Sequence, residues 1–156
     1  MMTESTFTAA TERHLDMVYR IALNWFRNPA DAEDAAQTVM LKLWQSDTEF
    51  ADGEHLRRWL ARVTLNVCKD MARSPWRRHT VSLEELRSPV FSDGERRAVY
   101  REVMALPGKY RVPLYLYYYE GYSVAEIGEL LRLNASTVQT RLARARGKLK
   151  VTPEEG

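Results

Sequence analysis

Cysteine is almost missing from this 156-residue chain, where Cys68 stands alone. One thiol closes no intramolecular disulfide, and with no Cys or His neighbour at ligand spacing it offers no zinc site. The opening MMTESTFTAATERH lacks the basic start and apolar run of a signal peptide, and no stretch approaches the length of a bilayer crossing. A soluble, cytoplasmic protein in a reducing compartment, with no membrane insertion, is expected. No internal repeat, low-complexity tract or assignable strand alternation appears. No nucleophile–base pair, phosphate loop or metal cluster is visible, and His14, His55 and His79 are scattered, each expected at the surface. Neither catalysis nor a cofactor or metal is therefore expected.

What is present is helical periodicity, on a chain whose 45% hydrophobic content can bury a core. Helices are expected at about 8–27, 30–46, 54–73, 95–106, 110–120, 124–131 and 136–149. The stretch from Ser74 to Gly94, SPWRRHTVSLEELRSPVFSDG, carries two Ser-Pro pairs and an Asp-Gly. It is expected to be a flexible linker with a short helical turn near Leu83 to Leu86. The fold class is all-α: two small helical domains, residues 1–76 and 94–152, joined by a linker at 77–93.

Charge alternates along the chain. Residues 1–56 hold four Lys and Arg against ten Asp and Glu, residues 57–80 hold seven against one, and residues 131–150 hold six against none. Two separate basic blocks suit a protein that touches one acidic polymer at two places.

The last block belongs to a helical hairpin. Ser123 is placed to cap the first helix, with Glu126 completing a capping box, and Val124, Ile127, Leu130 and Leu131 form its apolar stripe. The second helix is expected to begin at Ser136 and to bury Val138, Leu142, Ala145 and Leu149. Its other side carries Ser136, Thr137, Gln139, Thr140, Arg141, Arg144 and Lys148. Phosphates would relieve the repulsion among Arg132, Arg141, Arg144, Arg146, Lys148 and Lys150. In a helix-turn-helix the early residues of the second helix reach base edges, which makes Thr137, Gln139, Thr140 and Arg141 the expected base readers. A solvated face favoured by the helix dipole is the alternative.

In the first half, Asn28-Pro29 starts a helix with Asp31, Glu33 and Asp34 in its first turn. Ala32, Ala36, Val39 and Leu43 share the core face. Leu41 points the other way among Asp34, Gln37 and Gln45, with Trp44 on the flank. Such a face suits a partner that is basic around an apolar centre, or is an ordinary exposed surface.

The next helix places Leu56, Leu60, Val63, Val67 and Met71 on an expected buried stripe. Opposite them Arg58, Arg62, Asn66, Lys69 and Arg73 form a cationic ridge interrupted by one amide. Like charges four apart destabilise a helix by roughly 0.2–0.5 kcal/mol per pair, so an anion is expected there. Phe50, Trp59 and Trp76 border the ridge, and aromatics beside cations are what single-stranded nucleic acid uses, at about 1–3 kcal/mol per stacked base. The alternative is that Phe50 and Trp59 are core residues and the ridge only confers solubility. Asn66 could read a base edge as donor and acceptor together.

Three stretches in this order, NPADAEDAAQTVMLKLW, LRRWLARVTLNVCKDMAR and LPGKYRVPLYLYYYEGYSVAEIGELLRLNASTVQTRLARARGKL, resemble bacterial RNA polymerase sigma factors of the small extracytoplasmic-function (ECF) group. The resemblance implies a region 2 helical bundle and a region 4 helix-turn-helix. It implies docking on the clamp helices of the polymerase largest subunit through Asp34, Gln37, Leu41 and Trp44, with the flap region taking the C-terminal domain. It further implies capture of a flipped promoter base, about ten base pairs upstream of the start, by the loop Phe50, Ala51, Asp52 and Gly53 with Asn66. Arg62, Lys69 and Arg73 would flank that base, with Arg58 and Trp59 as further DNA contacts of the same domain. The C-terminal helix would read duplex promoter DNA near the upstream-thirty-five element. An anti-sigma factor is a further expected partner. A sigma-like decoy that only binds an anti-sigma protein, or a dimeric helix-turn-helix regulator, are the alternatives. The chain departs from the family pattern at Thr38, where an acid is usual, at Gln139, where lysine is common, and at Arg132, where the turn commonly has glycine. A left-handed backbone at Arg132 would cost about 1 kcal/mol.

Overall fold

The computed structural model describes residues 2–74 and 94–149, with the side chains of residues 94–96 excepted. Among the described residues there are seven α-helices and no strand: α1 (Glu4–Phe26), α2 (Pro29–Trp44), α3 (Gly53–Ala72), α4 (Gly94–Ala105), α5 (Gly108–Tyr118), α6 (Val124–Leu131) and α7 (Ala135–Lys148). They fall into two compact units, Met1–Thr80 and Val81–Gly156. Trp76, the segment 77–93 with its expected turn at Leu83–Leu86, and Lys150 lie outside the described residues.

In the first unit α1, α2 and α3 all pack on one another. Helix α1 starts four residues earlier than its apolar periodicity suggests, because the Thr3 hydroxyl accepts the Thr6 amide at 3.2 Å and caps a polar first turn. Its core face is Val18, Ile21, Ala22 and Phe26, all buried. It ends at Arg27, in the left-handed region at φ 52°. Asn28 then caps α2, its Oδ1 accepting from the amides of Ala30 and Asp31, with Pro29 at the first helical position. Ala32, Ala36, Val39 and Leu43 are buried as the pattern requires.

Helix α3 corrects the sequence pattern. Its buried arc is Leu60, Ala61, Thr64, Leu65, Val67 and Cys68, while Leu56, Val63 and Met71 remain only partly covered. The core face is turned toward small residues, which let three helices approach closely. Thr64 tolerates complete burial because its hydroxyl donates to the Leu60 carbonyl at 2.6 Å. The ridge of Arg58, Arg62, Asn66, Lys69 and Arg73 still lies away from this arc.

In the second unit α5 is central, in contact with α4, α6 and α7. It carries Leu114, Leu116 and Tyr115 into the core, and the Tyr115 hydroxyl donates to the buried Glu120 carboxylate at 2.7 Å. The expected capping box forms in full: the Ser123 hydroxyl accepts the Glu126 amide and the Glu126 carboxylate accepts the Ser123 amide. Ile127 and Leu130 are buried, while Val124 and Leu131 are half-covered. Arg132 ends α6 in the left-handed conformation at φ 58°. The Leu133 amide then donates to the Gly128 carbonyl at 2.8 Å, and Asn134 caps α7 by accepting the Thr137 amide at 2.8 Å. Helix α7 therefore starts at Ala135, one residue before the expected Ser136.

Candidate nucleic-acid interface

The outward face of α2 carries Asp34, Gln37 and Leu41 in solvent, and Leu41 is 54% exposed. Trp44 lies half-buried on its flank, edge-on to Phe7 of α1 at 5.2 Å between ring centroids. The four residues thus combine an exposed leucine, polar neighbours and an aromatic ring fixed by α1. Thr38, between Asp34 and Leu41, donates its hydroxyl to the Asp34 carbonyl at 3.0 Å and so adds no charge to this face.

The loop before α3 is held by its own side chains. Asp52 caps α3 by accepting the His55 amide at 2.8 Å, and the Ala51 amide donates to His55 Nδ1 at 2.9 Å. The Phe50 ring meets His55 at 5.2 Å and Trp59 at 5.4 Å, both edge-on. Gly53 begins the helix, and a Cβ there would come within 4.0 Å of the Arg13 guanidinium. Phe50, Ala51, Asp52, Gly53 and Trp59 are therefore one assembly, and Phe50 and Trp59 belong to it instead of to the core.

Along the ridge Arg58, Arg62 and Arg73 are exposed, while Asn66 and Lys69 are half-exposed. None of the four cations is drawn into an ion pair with another described residue; Arg57, one residue off the ridge, approaches Glu54 at 3.9 Å instead. The Asn66 amide makes no hydrogen bond within the described residues and keeps donor and acceptor available.

Two histidines differ from expectation. His14 is buried, 7% exposed, and lies on α1 where it faces a cleft of about 930 Å³ between that helix and the 46–52 loop. Burial lowers its pKa, with Arg13 and Arg57 adding to the effect and Glu54 opposing it. His55 is half-buried and organises the loop as described. Sequence patterning missed both because each role depends on a contact with a distant or irregular segment.

On α7 the residues Ser136, Gln139, Thr140, Arg144 and Lys148 are exposed, Thr137 and Arg141 half-exposed, and Val138, Leu142 and Ala145 buried. The Ser136 hydroxyl donates to Asn134 Oδ1 at 2.9 Å and so reinforces the cap. Arg146 donates to the Tyr118 hydroxyl at 3.0 Å and ties α7 to α5. The turn is fixed by glycine, since a Cβ on Gly128 would lie 2.7 Å from the Leu133 carbonyl oxygen.

Comparison with known proteins agrees with this layout. Residues 10–78 match the Sigma-70 region 2 family and residues 96–149 match Sigma-70 region 4. The chain is 31% identical over 150 residues to the ECF RNA polymerase sigma factor SigM of Mycobacterium tuberculosis, covering 92% of this chain and 74% of that protein. It is 24% identical over 165 residues to the ECF RNA polymerase sigma factor SigW of Bacillus subtilis, covering 94% and 88%. Its fold resembles the sigma factor RpoE in the complex with the anti-sigma factor NepR from Bartonella quintana (TM-score 0.68, 18% identity, 92% and 93% covered). It also resembles CnrH in complex with the cytosolic domain of CnrY (TM-score 0.62, 23% identity, 94% and 86% covered). With both sigma regions present in order and a relative of this identity spanning most of its length, the chain belongs to the ECF RNA polymerase sigma factors.

Proposed function

We propose that this chain binds core RNA polymerase, brings it to a promoter and helps open the duplex, working as a bipartite adaptor that catalyses no covalent step itself. Residues 1–76 act as the region 2 domain and residues 94–152 as the region 4 domain, joined through residues 77–93. The polymerase clamp helices take the α2 face of Asp34, Gln37, Leu41 and Trp44, and the flap region takes the C-terminal domain. Exposed Leu41 beside Asp34 suits a partner that is basic around an apolar contact.

The observation that carries the proposal is the loop–ridge pairing on α3. An aromatic loop locked by Phe50, His55 and Trp59 adjoins a line of cations that form no ion pair among the described residues and an amide with open hydrogen-bonding capacity. Flipping a base costs a few kcal/mol of unstacking, which a fixed loop, a stacking surface and backbone cations offset. Duplex recognition falls to Thr137, Gln139, Thr140, Arg141 and Arg144, with Ser136 and Lys148 at the margins. An anti-sigma factor is the regulatory partner, supported by the family and by the complexes in which its fold relatives were solved. The working location is the cytoplasm, where the polymerase and chromosome are; no helix of the described residues is long and apolar enough to cross a membrane.

Run-off transcription with core polymerase, this protein and fragmented genomic DNA tests the proposal. Discrete start sites that vanish with Leu41→Glu are expected. Absence of any promoter-dependent transcript, with DNA still shifted by the protein alone, would replace it with a polymerase-independent regulator.

A further inference from the structure

The loop before α3 is fastened by an imidazole that must be uncharged to hold it. The Ala51 amide donates to His55 Nδ1 at 2.9 Å. A ring nitrogen accepts only while it carries no proton, whereas an imidazolium presents donors at both nitrogens. Protonation of His55 at Nδ1 and this hydrogen bond therefore exclude one another. The charged groups around the ring are Asp52, whose carboxylate accepts the His55 amide at 2.8 Å, Glu54 and Arg58 on α3, and Arg13 of α1, whose guanidinium reaches Gly53.

A second imidazole lies under the same loop. His14 lines the cleft between α1 and residues 46–52, and its buried Nε2 has no hydrogen-bond partner among the described residues. Burial disfavours a charge on that ring, Arg13 and Arg57 add to the effect, and Glu54 opposes it. The loop side of the cleft supplies Asp47, Glu49 and Asp52, and no residue of α2 lines it. An imidazolium at His14 is thus costly while the loop keeps its place. It gains water once the loop moves away.

We propose that the loop of Phe50, Ala51, Asp52 and Gly53 is a proton switch, held on α3 while His14 and His55 are neutral and released when they take up protons, so that acid lowers promoter opening. The proposal rests on the reading of this loop as the one that captures the flipped base. Because the held loop binds fewer protons than the released one, release gains as pH falls, and each unit of difference in proton affinity is tenfold in their ratio. Polymerase docking should be spared, since Asp34, Gln37, Leu41 and Trp44 lie on α2, which carries no histidine.

The test is permanganate footprinting of the promoter bubble by holoenzyme built with the full chain, at pH 7.5 and 6.0, each protein scored by the ratio of the two. Core polymerase has its own acid response, which is common to all variants and cancels. The wild type is expected to lose about 3- to 10-fold more open complex on acidification than the double variant His14→Leu/His55→Asn, whose new amide oxygen accepts from Ala51 and cannot titrate. Each single variant should fall between them, and holoenzyme assembly should respond to pH alike in all. In the free, isotopically labelled chain, the Ala51 amide resonance should move with titration of the His55 ring. That measurement needs only the wild type, so a variant that fails to fold does not protect the proposal. Equal acid losses in the wild type and the double variant overturn the switch, as does an Ala51 amide that stays fixed while His55 titrates. Phe50→Ala at pH 7.5 separates the two readings: reduced opening there with equal acid losses overturns the switch alone, whereas undiminished opening removes the loop from base capture and the switch with it.

Discussion

Phe50 in the loop before α3 and Trp59 on the second turn of that helix meet edge-to-face, their ring centroids 5.4 Å apart at 72°. The pair lies beside the Ala51–His55 and Asp52–His55 hydrogen bonds, so loop conformation and helix start form one structural unit. Aromatic pairs of this geometry contribute about 0.5–1.5 kcal/mol beyond buried area.

Phe50→Ala is therefore expected to destabilise the first unit by about 1–2 kcal/mol, combining the lost pair and partial burial. All four tryptophans, Trp25, Trp44, Trp59 and Trp76, lie in Met1–Thr80, so tryptophan fluorescence during urea unfolding reports this unit alone. In transcription the same variant should form fewer permanganate-reactive open complexes while the holoenzyme still assembles. Equal assembly and equal opening would separate the loop from promoter melting.

A second prediction concerns the helix-turn-helix corner. Arg132 holds φ 58°, a conformation that is strained for a residue with a side chain, and the sequence departure at this position anticipated that cost. Arg132→Gly should stabilise the second unit by about 1 kcal/mol. Gly128→Ala should act oppositely, by about 1–3 kcal/mol, because its Cβ would press on the backbone oxygen of Leu133 and not on a movable side chain. Circular dichroism at the helical minimum, with the tryptophan-reported transition subtracted, measures both. A destabilised Arg132→Gly would mean that the arginine side chain makes a compensating contact.

Much of this was legible from residue patterns, and the exceptions share a physical cause. The caps of α2 and α6 and the core faces of α2 and α7 follow from local chemistry, namely Asn28-Pro29, Ser123 with Glu126, and apolar spacing, except that Leu149, expected in the α7 core face, lies past the helix end and is only half-covered. Helix α3 misled because Ala61, Thr64 and Cys68 carry weak hydrophobic signals, yet small size decided which side three helices could bury. The setting of His14 was invisible for another reason. It acquires its surroundings from a segment remote in sequence, and no local periodicity encodes that meeting.

Cys68 gives a third prediction. It is fully buried, and burial pushes its thiol up to about 12. Since the thiolate is the reactive form, alkylation by iodoacetamide at pH 8 should be slower in the folded protein than in urea by about 100-fold or more. Reaction should track unfolding of the first unit, and no redox response of transcription should depend on this residue. Rapid labelling under native conditions would contradict the packing of α3.

The fourth prediction follows from His14. Its imidazole is 7% exposed and its pKa lies below 6.5, chiefly through burial and then through Arg13 and Arg57. In the unfolded chain the same group takes up a proton near 6.5, so on acidification the unfolded state binds protons first and is favoured. Stability of the first unit should therefore be at its plateau above about pH 6.5 and decline below it, until the folded imidazole also protonates. His14→Leu cannot titrate and should flatten that decline while leaving stability at pH 7.5 equal or higher, since the buried Nε2 has no hydrogen-bond partner among the described residues to lose. Urea midpoints read by tryptophan fluorescence at pH 7.5 and 5.5 for both proteins decide the matter. Parallel losses in the wild type and His14→Leu would assign the acid sensitivity to another group.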